Sequence, residues 1–437
     1  MLAGAALALL LVNQARAQDL QMLRDAEIET DLRTFETPVY RAAGLDLDAL
    51  HIYLINDPAL NSFVAGGQNI FMNTGTLMRA ETPNQIVGIM AHETGHIAGG
   101  HIARSEDAMR KASYEGIAAM VLGIALAAVT GGAGGAALLG ASGVAERAWL
   151  QYSIEQEARA DQAALTFLDR THQSAKGLLQ FFEILQQQEF LTGQREIPYL
   201  RTHPLTDQRI DYVREHVRNS PYSDNADPPE WVAMLKRVKV KLEGFLQAPE
   251  QTLTEYPTSD QSLTARYARA IAYYRIPDLG HALPEVDALI RDYPSDPYFA
   301  ELKGQMLFEN GRIADAVGPY TQASKLDPTS MLLRTELAQV QLETNDPALV
   351  PIARAHLEEV TRYEIQNAEA WRLLAIAYGR GNNMGMMALA LAEQGASSGD
   401  NGMAHGQALH AMQLLPAGPA RQRAQDIADE AKRAADQ

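Results

Sequence analysis

The chain has 437 residues, 46% of them hydrophobic and 21% charged, which is the composition of a folded protein too long for a single hydrophobic core. Its formal net charge of −17 argues against a nucleic-acid-binding surface and against strong attraction to anionic lipid. The absence of cysteine excludes a thiol nucleophile, a cysteine-ligated zinc site and structural disulfides. We therefore expect two domains without covalent cross-links.

The first 17 residues predict an export signal. An apolar run over residues 2–12 is followed by Ala15-Arg16-Ala17, an A-x-A-like cleavage site, although the basic residues that usually precede such a run are missing. An uncleaved membrane anchor is the weaker alternative, because a run of about 17 residues is short for a membrane span. We expect cleavage after Ala17 and a mature protein in the periplasm.

Two β-rich segments follow a stretch over residues 19–40 whose pattern predicts a helix. Residues 51–56 end at an Asn-Asp-Pro sequence and predict a strand. Residues 61–65 and 68–74 are joined by Gly66 and Gly67, which predicts a β-hairpin with a tight turn. On this evidence alone, the hairpin is expected to have a structural role only.

Residues 92–96 read His-Glu-Thr-Gly-His, the H-E-x-x-H pattern, among apolar residues at helical spacing. Thr82 and Pro83, with a glutamine three residues after the threonine, predict the start of this helix. On a helix, His92 and His96 lie on one face and can direct two imidazoles at one metal ion, and Glu93 can take a proton from metal-bound water. The pattern also occurs by chance, so the interpretation requires a third ligand.

Two residues compete for the third position. His101 is close in sequence, but the metzincin spacing places its third histidine at position 102, which is Ile102, so we set His101 aside. Glu157 begins an E-x-x-x-D pattern that ends at Asp161, one turn later on a second predicted helix. Glu157 can bind the metal there, and Asp161 can accept the outer ring N–H of a ligand histidine. Taken alone, this segment is equally typical of a charged face on an ordinary helix.

H-E-x-x-H followed by E-x-x-x-D about sixty residues later resembles the gluzincin metalloproteases, and in detail the family of HtpX and CAAX prenyl proteases. The resemblance implies a zinc endopeptidase with one Zn²⁺ per chain. It implies His92, His96 and Glu157 as the metal ligands, Glu93 as the general base and Asp161 as the residue that orients a ligand.

The same resemblance assigns roles to two further segments. Gluzincins bind substrate as an added strand along a sheet edge, and Asn61-Ser62-Phe63 is similar to the edge strand of thermolysin-like enzymes, so Asn61, Phe63 and Ala65 are candidate substrate-binding residues. The R-x-H-P segment at 201–204 implies that His203 lies over the zinc site. There it either stabilises the transition-state oxyanion, as a catalytic residue, or occupies the open zinc position in a latent state. A solvated loop histidine is the plainer alternative.

Residues 116–145 carry no charge and are interrupted by paired glycines at 131–135. The glycines break the run into legs too short to cross a membrane, so we expect an apolar helical hairpin packed on its own domain. A hairpin that contacts a membrane surface or a partner is the alternative, and a transmembrane pair is the least favoured reading.

The C-terminal half begins with a proline-rich linker and a connecting helix over 220–262. From about residue 263 the pattern is helical throughout, and Gly304 and Ala338 occupy equivalent small positions 34 residues apart. This period is typical of tetratricopeptide repeats, which stack into a superhelix with a concave binding face. A short insertion is expected near Asp346, and a capping helix over 418–437.

The sequence thus predicts an α+β fold: a mostly helical protease domain with a small β-sheet over 18–219, followed by an all-α repeat superhelix over 263–437. The predicted function is zinc-dependent proteolysis of unfolded or misassembled exported and outer-membrane proteins in the periplasm, free or peripheral on a membrane. The repeats would recruit substrate or an outer-membrane assembly machine. The competing prediction is a non-enzymatic chaperone or scaffold whose repeats and apolar hairpin carry the function.

Overall fold

The structure, a computed structural model, describes residues 21–101, 154–192, 199–200 and 203–435. The predicted export signal over 1–17 and the predicted apolar hairpin over 116–145 lie outside these residues. The chain divides into two compact units, one formed by residues 1–23 and 36–226, the other by residues 24–35 and 227–437. Among the described helices, none has the length and apolar character needed to span a membrane.

The first unit contains a four-stranded sheet with strand order β1-β2-β4-β3. Its strands are β1 (Met22–Leu23), β2 (His51–Ile55), β3 (Ser62–Ala65) and β4 (Asn69–Asn73). The predicted strand and the predicted hairpin are confirmed as β2 and as the antiparallel pair β3–β4. In addition, β2 pairs in parallel with β4, so the hairpin leaves β3 at the edge of the sheet.

The pleat of the sheet separates a core face from an aromatic face. Ile52, Leu54, Ile70 and Met72 are buried on the core face. Tyr53, Phe71 and Phe63 lie opposite one another on the three paired strands, and their rings stack with centroids 5.1 and 5.0 Å apart. Such cross-strand aromatic pairs stabilise the register of a small sheet.

The other described elements of the first unit are mostly helices. They are the second part of α1 (Ala26–Ala42, whose residues up to 35 belong to the second unit), α2 (Thr74–Arg79), α3 (Pro83–Ala98), α4 (154–170), α5 (Lys176–Thr192) and α6 (Asp207–Asn219). Helix α3 packs against α5 and lies beside β3. It is the central helix of the unit, since every residue from 83 to 96 is buried.

The start of α1 differs from the sequence prediction. A helix was expected from residue 19 onward, whereas residues 22–23 form β1 and the helix begins at Ala26. The reason is a cap: the Asp25 carboxylate accepts a hydrogen bond from the backbone N–H of Ile28 at 2.9 Å. An aspartate in this position accepts a hydrogen bond from a backbone N–H that has no partner within the helix, so the helix begins directly after it.

The second unit is all-helical over its described residues, as predicted. From residue 229 its helices are α7 (Pro229–Leu246), α8 (Pro249–Glu255), α9 (Leu263–Arg275), α10 (Leu279–Asp292), α11 (Pro297–Glu309), α12 (Ile313–Leu326), α13 (Met331–Glu343), α14 (Val350–Tyr363), α15 (Ala368–Arg380), α16 (Met384–Ser398), α17 (Asn401–Leu414) and α18 (Pro419–Ala435). Helices α11, α13 and α15 begin 34 and then 37 residues apart. The longer second step is consistent with the insertion expected near Asp346. With the sheet in the first unit, the architecture is α+β.

Candidate metal centre and active site

Helix α3 supplies the first two site residues. Its N-terminus is the predicted one: the Thr82 side chain accepts a hydrogen bond from the backbone N–H of Gln85, and Pro83 is the first helical residue. Because the helix is central, His92 and Glu93 are both fully buried and His96 is 8% exposed. The four-residue spacing places the two imidazoles together, with their Nε2 atoms 3.1 Å apart.

Helix α4 brings a carboxylate to the same point. The Oε2 atom of Glu157 lies 3.2 Å from His92 Nε2, and its Oε1 atom lies 3.3 Å from His96 Nε2. This approach depends on Gly95, because a Cβ atom there would lie 2.6 Å from the carbonyl oxygen of Ala160. The glycine in the middle of H-E-x-x-H therefore lets the two ligand-bearing helices touch backbone to backbone.

His203 completes a four-residue cluster. Its Nδ1 atom lies 3.2 Å from both oxygens of Glu157 and 3.4 Å from His92 Nε2. Its ring stacks on Tyr199 with centroids 4.6 Å apart and planes 27° apart. His92, His96, Glu157 and His203 are all buried, and one ligand atom from each lies within 4.8 Å of the others.

The spacing of these atoms fits a zinc ion. In a tetrahedral site with Zn–N and Zn–O bonds of about 2.0 to 2.1 Å, neighbouring ligand atoms are about 3.3 Å apart. The observed separations among the four groups run from 3.1 to 3.4 Å for every pair given above. Two imidazoles, a carboxylate and a third imidazole are also ligands that zinc prefers. The donor set and its dimensions therefore fit one metal ion.

The outer side of His92 is held by Asp161. Its Nδ1 atom lies 2.9 Å from Asp161 Oδ1, so the imidazole is clamped between this carboxylate and the metal position. Asp161 is itself bound by Arg209, whose Nε and second guanidinium nitrogen donate to its two oxygens at 2.6 and 2.9 Å. Such outer contacts fix the ring orientation and tautomer of a ligand histidine.

The buried charges of the site call for a cation. Glu93, Glu157 and Asp161 are buried carboxylates, and among the described side chains that touch them Arg209 is the permanent positive charge. Glu157 and Asp161, whose pKa values are lowered, and the Arg209 guanidinium leave a net charge of −1 when the imidazoles are neutral, as metal ligands are. An uncompensated buried charge costs several kcal/mol, so a divalent cation at the cluster would restore the balance.

The pKa shifts follow from burial and neighbours. Burial would raise the pKa of Glu157, but the imidazoles around it lower that pKa well below its usual value. Burial lowers the pKa of His96 to about 3, whereas the two carboxylates beside His92 outweigh burial and raise its pKa to about 9. Burial raises the pKa of Glu93. Glu157 is thus ionised, as a ligand must be, and the pKa of Glu93 is raised above its usual value, which is the direction that suits a general base.

The surroundings of Glu93 are those of a carboxylate that can bind a water or a substrate proton. Both of its carboxylate oxygens are buried and, among the described residues, neither has a hydrogen-bond partner. The nearest charged or titratable contact is His203, whose Nε2 atom lies 3.7 Å from Glu93 Oε1. A buried carboxylate without partners is costly, and such groups mark sites where a water or a substrate proton binds.

Arg209 is a site residue that the sequence analysis did not identify. It is 3% exposed, and besides Asp161 it contacts Glu157 Oε2 at 3.0 Å and donates to the carbonyl oxygen of Pro204 at 2.7 Å. One side chain therefore connects a metal-cluster carboxylate, its neighbour on α4 and the loop that carries His203. The available signal was its place six residues after His203, at the start of a helix capped by Thr206.

The candidate substrate residues lie on or next to β3, apart from the cluster. Phe63 and Ala65 pair with Phe71 and Asn69 of β4, and no other described strand pairs with the opposite edge of β3. The backbone of Asn61, just before the strand, is bound on both its N–H and its carbonyl by the hydroxyl of Thr76. An unpaired edge beside α3 has the geometry required for adding an extended peptide.

Comparison with known proteins supports this reading of the site. Residues 25–217 match the model of peptidase family M48. The chain is 25% identical over 357 residues to the β-barrel assembly-enhancing protease of Escherichia coli (strain K12), covering 80% of this chain and 71% of that protein. It is 24% identical over 340 residues to the protein of that name from Yersinia pestis, covering 75% and 67%. The metalloprotease YcaL of Escherichia coli (strain K12) is 29% identical over 167 residues, which cover 38% of this chain and 61% of YcaL.

The match spans α3, α4 and the His203 loop, and so contains the whole cluster. Residues 25–217 thus match the model of peptidase family M48, and the chain is a metalloprotease similar to the β-barrel assembly-enhancing proteases.

Proposed function

We propose that this chain is a zinc endopeptidase in which His92, His96 and Glu157 hold the metal, Asp161 orients His92, and Glu93 is the general base. The observation that carries the proposal is the set of ligand-atom separations of 3.1 to 3.3 Å among the two imidazoles and the carboxylate. Glu157 contributes Oε2 toward His92 and Oε1 toward His96, and all three separations are close to those between ligand atoms around a tetrahedral zinc ion.

The chemistry follows from this arrangement. When bound, zinc supplies a Lewis acid that polarises a peptide carbonyl and makes an attacking water available at neutral pH. Glu93, buried and without a hydrogen-bond partner among the described residues, accepts the proton of that water and then donates it to the leaving amine. We assign substrate binding to the open edge of β3, where Asn61, Phe63 and Ala65 would lie along an extended peptide added to the sheet.

For His203 the geometry favours the latent state over the oxyanion role. Its Nδ1 atom stands as close to Glu157 and His92 as the other ligand atoms stand to each other. A catalytic zinc keeps its fourth position open for water or substrate, whereas a fourth protein ligand closes the site. We therefore propose that His203 occupies the fourth position at rest and must leave it before the enzyme acts.

We further propose that the substrates are unfolded or misassembled outer-membrane proteins in the periplasm. Support comes from the relatives in Escherichia coli and Yersinia pestis, whose names describe enhancement of β-barrel assembly. The domain division proposed is 18–219 for the protease, 220–262 for the connection and 263–437 for the repeats. The 34-residue spacing of α11 and α13 supports a repeat array that recruits substrate or an assembly machine.

The test is the Glu93→Gln variant, with Glu155→Gln as its control. Glu155 is on the described part of α4 but is exposed and pairs with Arg159. We expect Glu93→Gln to bind one equivalent of zinc and to lose cleavage of an unfolded outer-membrane β-barrel protein by at least about 10²-fold. Glu155→Gln should keep both. Undiminished cleavage by Glu93→Gln would refute the role of Glu93, and absence of bound zinc from the unaltered protein would refute the metal site.

The same variant separates the enzyme from a chaperone or scaffold. Glu93→Gln should fail to restore outer-membrane protein quality control in cells that lack the native protein. Full restoration would mean that proteolysis is not the function that the cell requires of this chain, and would favour the non-enzymatic alternative.

A further inference from the structure

His101 lies directly behind one of the proposed metal ligands. It follows the C-terminus of α3, is 3% exposed, and places its ring at 81° to that of His96 with centroids 5.0 Å apart. The Nδ1 atoms of the two rings are 3.1 Å apart, which is hydrogen-bond distance. His96 is thus contacted on its Nε2 side by the metal cluster and on its Nδ1 side by a second imidazole.

Two glycines make this placement possible. Gly99 caps α3, and a Cβ atom on it would lie 2.4 Å from Nε2 of His101. Gly100 has a φ of +61°, the left-handed conformation that reverses the chain direction after a helix. Together they fold the chain back so that the His101 ring lies against the helix end, beside His96. A side chain at position 99 would displace that ring.

The contact between His96 and His101 determines which of their ring nitrogens carries a proton. His96 directs Nε2 toward His92 and Glu157, so a metal bound there leaves the His96 proton on Nδ1. Two Nδ1 atoms at 3.1 Å cannot both donate, and therefore His101 must present Nδ1 without a proton and accept. Each of the two proposed ligand histidines then donates its Nδ1–H to a different acceptor: His92 to Asp161, and His96 to His101.

We propose that His101 is the positioning residue for His96: it accepts the Nδ1–H of that ligand and so fixes its tautomer and ring orientation for metal binding. The inference rests on the proposed zinc site and adds a residue to it. Outer contacts of this kind commonly change metal affinity by about 10- to 100-fold when they are removed. His101 is not among the four described residues whose ligand atoms converge, so we do not count it as a ligand.

The experiment measures zinc affinity by competition with a chromogenic chelator, in the full-length protein. His101→Phe keeps a ring of similar size without an acceptor, and His101→Gln keeps an acceptor oxygen. We expect the zinc dissociation constant to rise about 10- to 100-fold in His101→Phe and to recover by at least half of that factor, on a logarithmic scale, in His101→Gln. His216→Phe, which alters a half-buried histidine away from the cluster, should leave the constant unchanged.

A second variant covers the case in which His101→Phe fails to fold. Gly99→Ala keeps His101 but displaces its ring, and Gly99 has an ordinary φ of −72°, so alanine fits its backbone. It should weaken zinc binding to a similar degree. Wild-type affinity in His101→Phe, or in Gly99→Ala, would overturn the inference, as would equal losses in His101→Phe and His101→Gln. Failure of the unaltered protein to bind zinc is a different result and refutes the proposed function instead.

Discussion

The position of His203 leads to a prediction whose sign separates two mechanisms. His203→Ala removes the group that we propose for the fourth ligand position without changing His92, His96 or Glu157. If His203 closes the site at rest, the variant has an open coordination position at all times and should cleave faster than the unaltered protein. If His203 instead stabilises an oxyanion, the variant should lose about 10²- to 10³-fold in kcat.

The size of the gain can be worked from the contacts that hold His203 in place. Its ring stacks on Tyr199, which is worth about 0.5–1.5 kcal/mol. The contact of Nδ1 with Glu157 is not added, because an Nδ1 atom that binds the metal has no proton to donate to the carboxylate. The closed state is therefore favoured by about 0.5–1.5 kcal/mol before the bond to the metal is counted. At tenfold per 1.4 kcal/mol, opening the site permanently should raise kcat/KM by at least about 2- to 12-fold.

The assay is the initial rate of cleavage of an unstructured fluorogenic peptide by zinc-loaded protein, with zinc content measured on the same samples. His281→Ala is the control, because the His281 side chain is 68% exposed and lies in the other unit. It should cleave at the wild-type rate. A fall in rate with a full complement of zinc in His203→Ala would refute the latent-state reasoning and establish the oxyanion role.

Three other predictions test the support of the cluster. Arg209→Met leaves Asp161 buried without its counter-charge and should cost about 3–5 kcal/mol of stability, measured as a loss of chemical-denaturation free energy that Arg209→Lys partly restores. Gly95→Ala should force α3 away from Ala160 and lower zinc affinity, measured by chelator competition, at a stability cost of about 1–3 kcal/mol. Burial raises the pKa of Glu36 to about 8, so the folded unit loses stability as pH rises from about 4.5 to 8. Glu36→Gln removes that loss, and its unfolding free energy relative to wild type should increase by a few kcal/mol between pH 5 and pH 8.5; no change would refute the assignment.

Features of the site that depend on local chemistry could be predicted from the sequence. The start of α3 follows from Thr82 and Pro83, because capping and proline geometry act within one turn. That His92 and His96 share a face follows from helical periodicity alone, and the structure places them together. The hairpin β3–β4 likewise follows from Gly66-Gly67 between two β-rich segments.

Features that depend on contacts between residues far apart in the sequence could not be predicted. The parallel pairing of β2 with β4 joins strands separated by the hairpin, and no local pattern specifies it. Arg209 was missed because its role depends on a contact with Asp161, which is 48 residues away in the sequence. An arginine in the first turn of a helix does not by itself predict such a contact. His101 was rejected as a ligand on spacing, and spacing alone cannot show that its ring folds back behind His96.

The residue types that form the site do not determine whether it is open or closed. Ligand types can be read from a sequence because zinc accepts only a few side chains, and those occur here at helical spacing. Whether the fourth position is filled depends on the position of the loop after Tyr199, and the stacking of His203 on Tyr199 contributes only about 0.5–1.5 kcal/mol to that balance. Arg209 ties the same loop, through Pro204, to the carboxylates of α4. A substrate that displaces His203 must therefore compete with contacts on the ring and on the loop together, so a site closed in this way opens only when binding elsewhere on the enzyme offsets their loss.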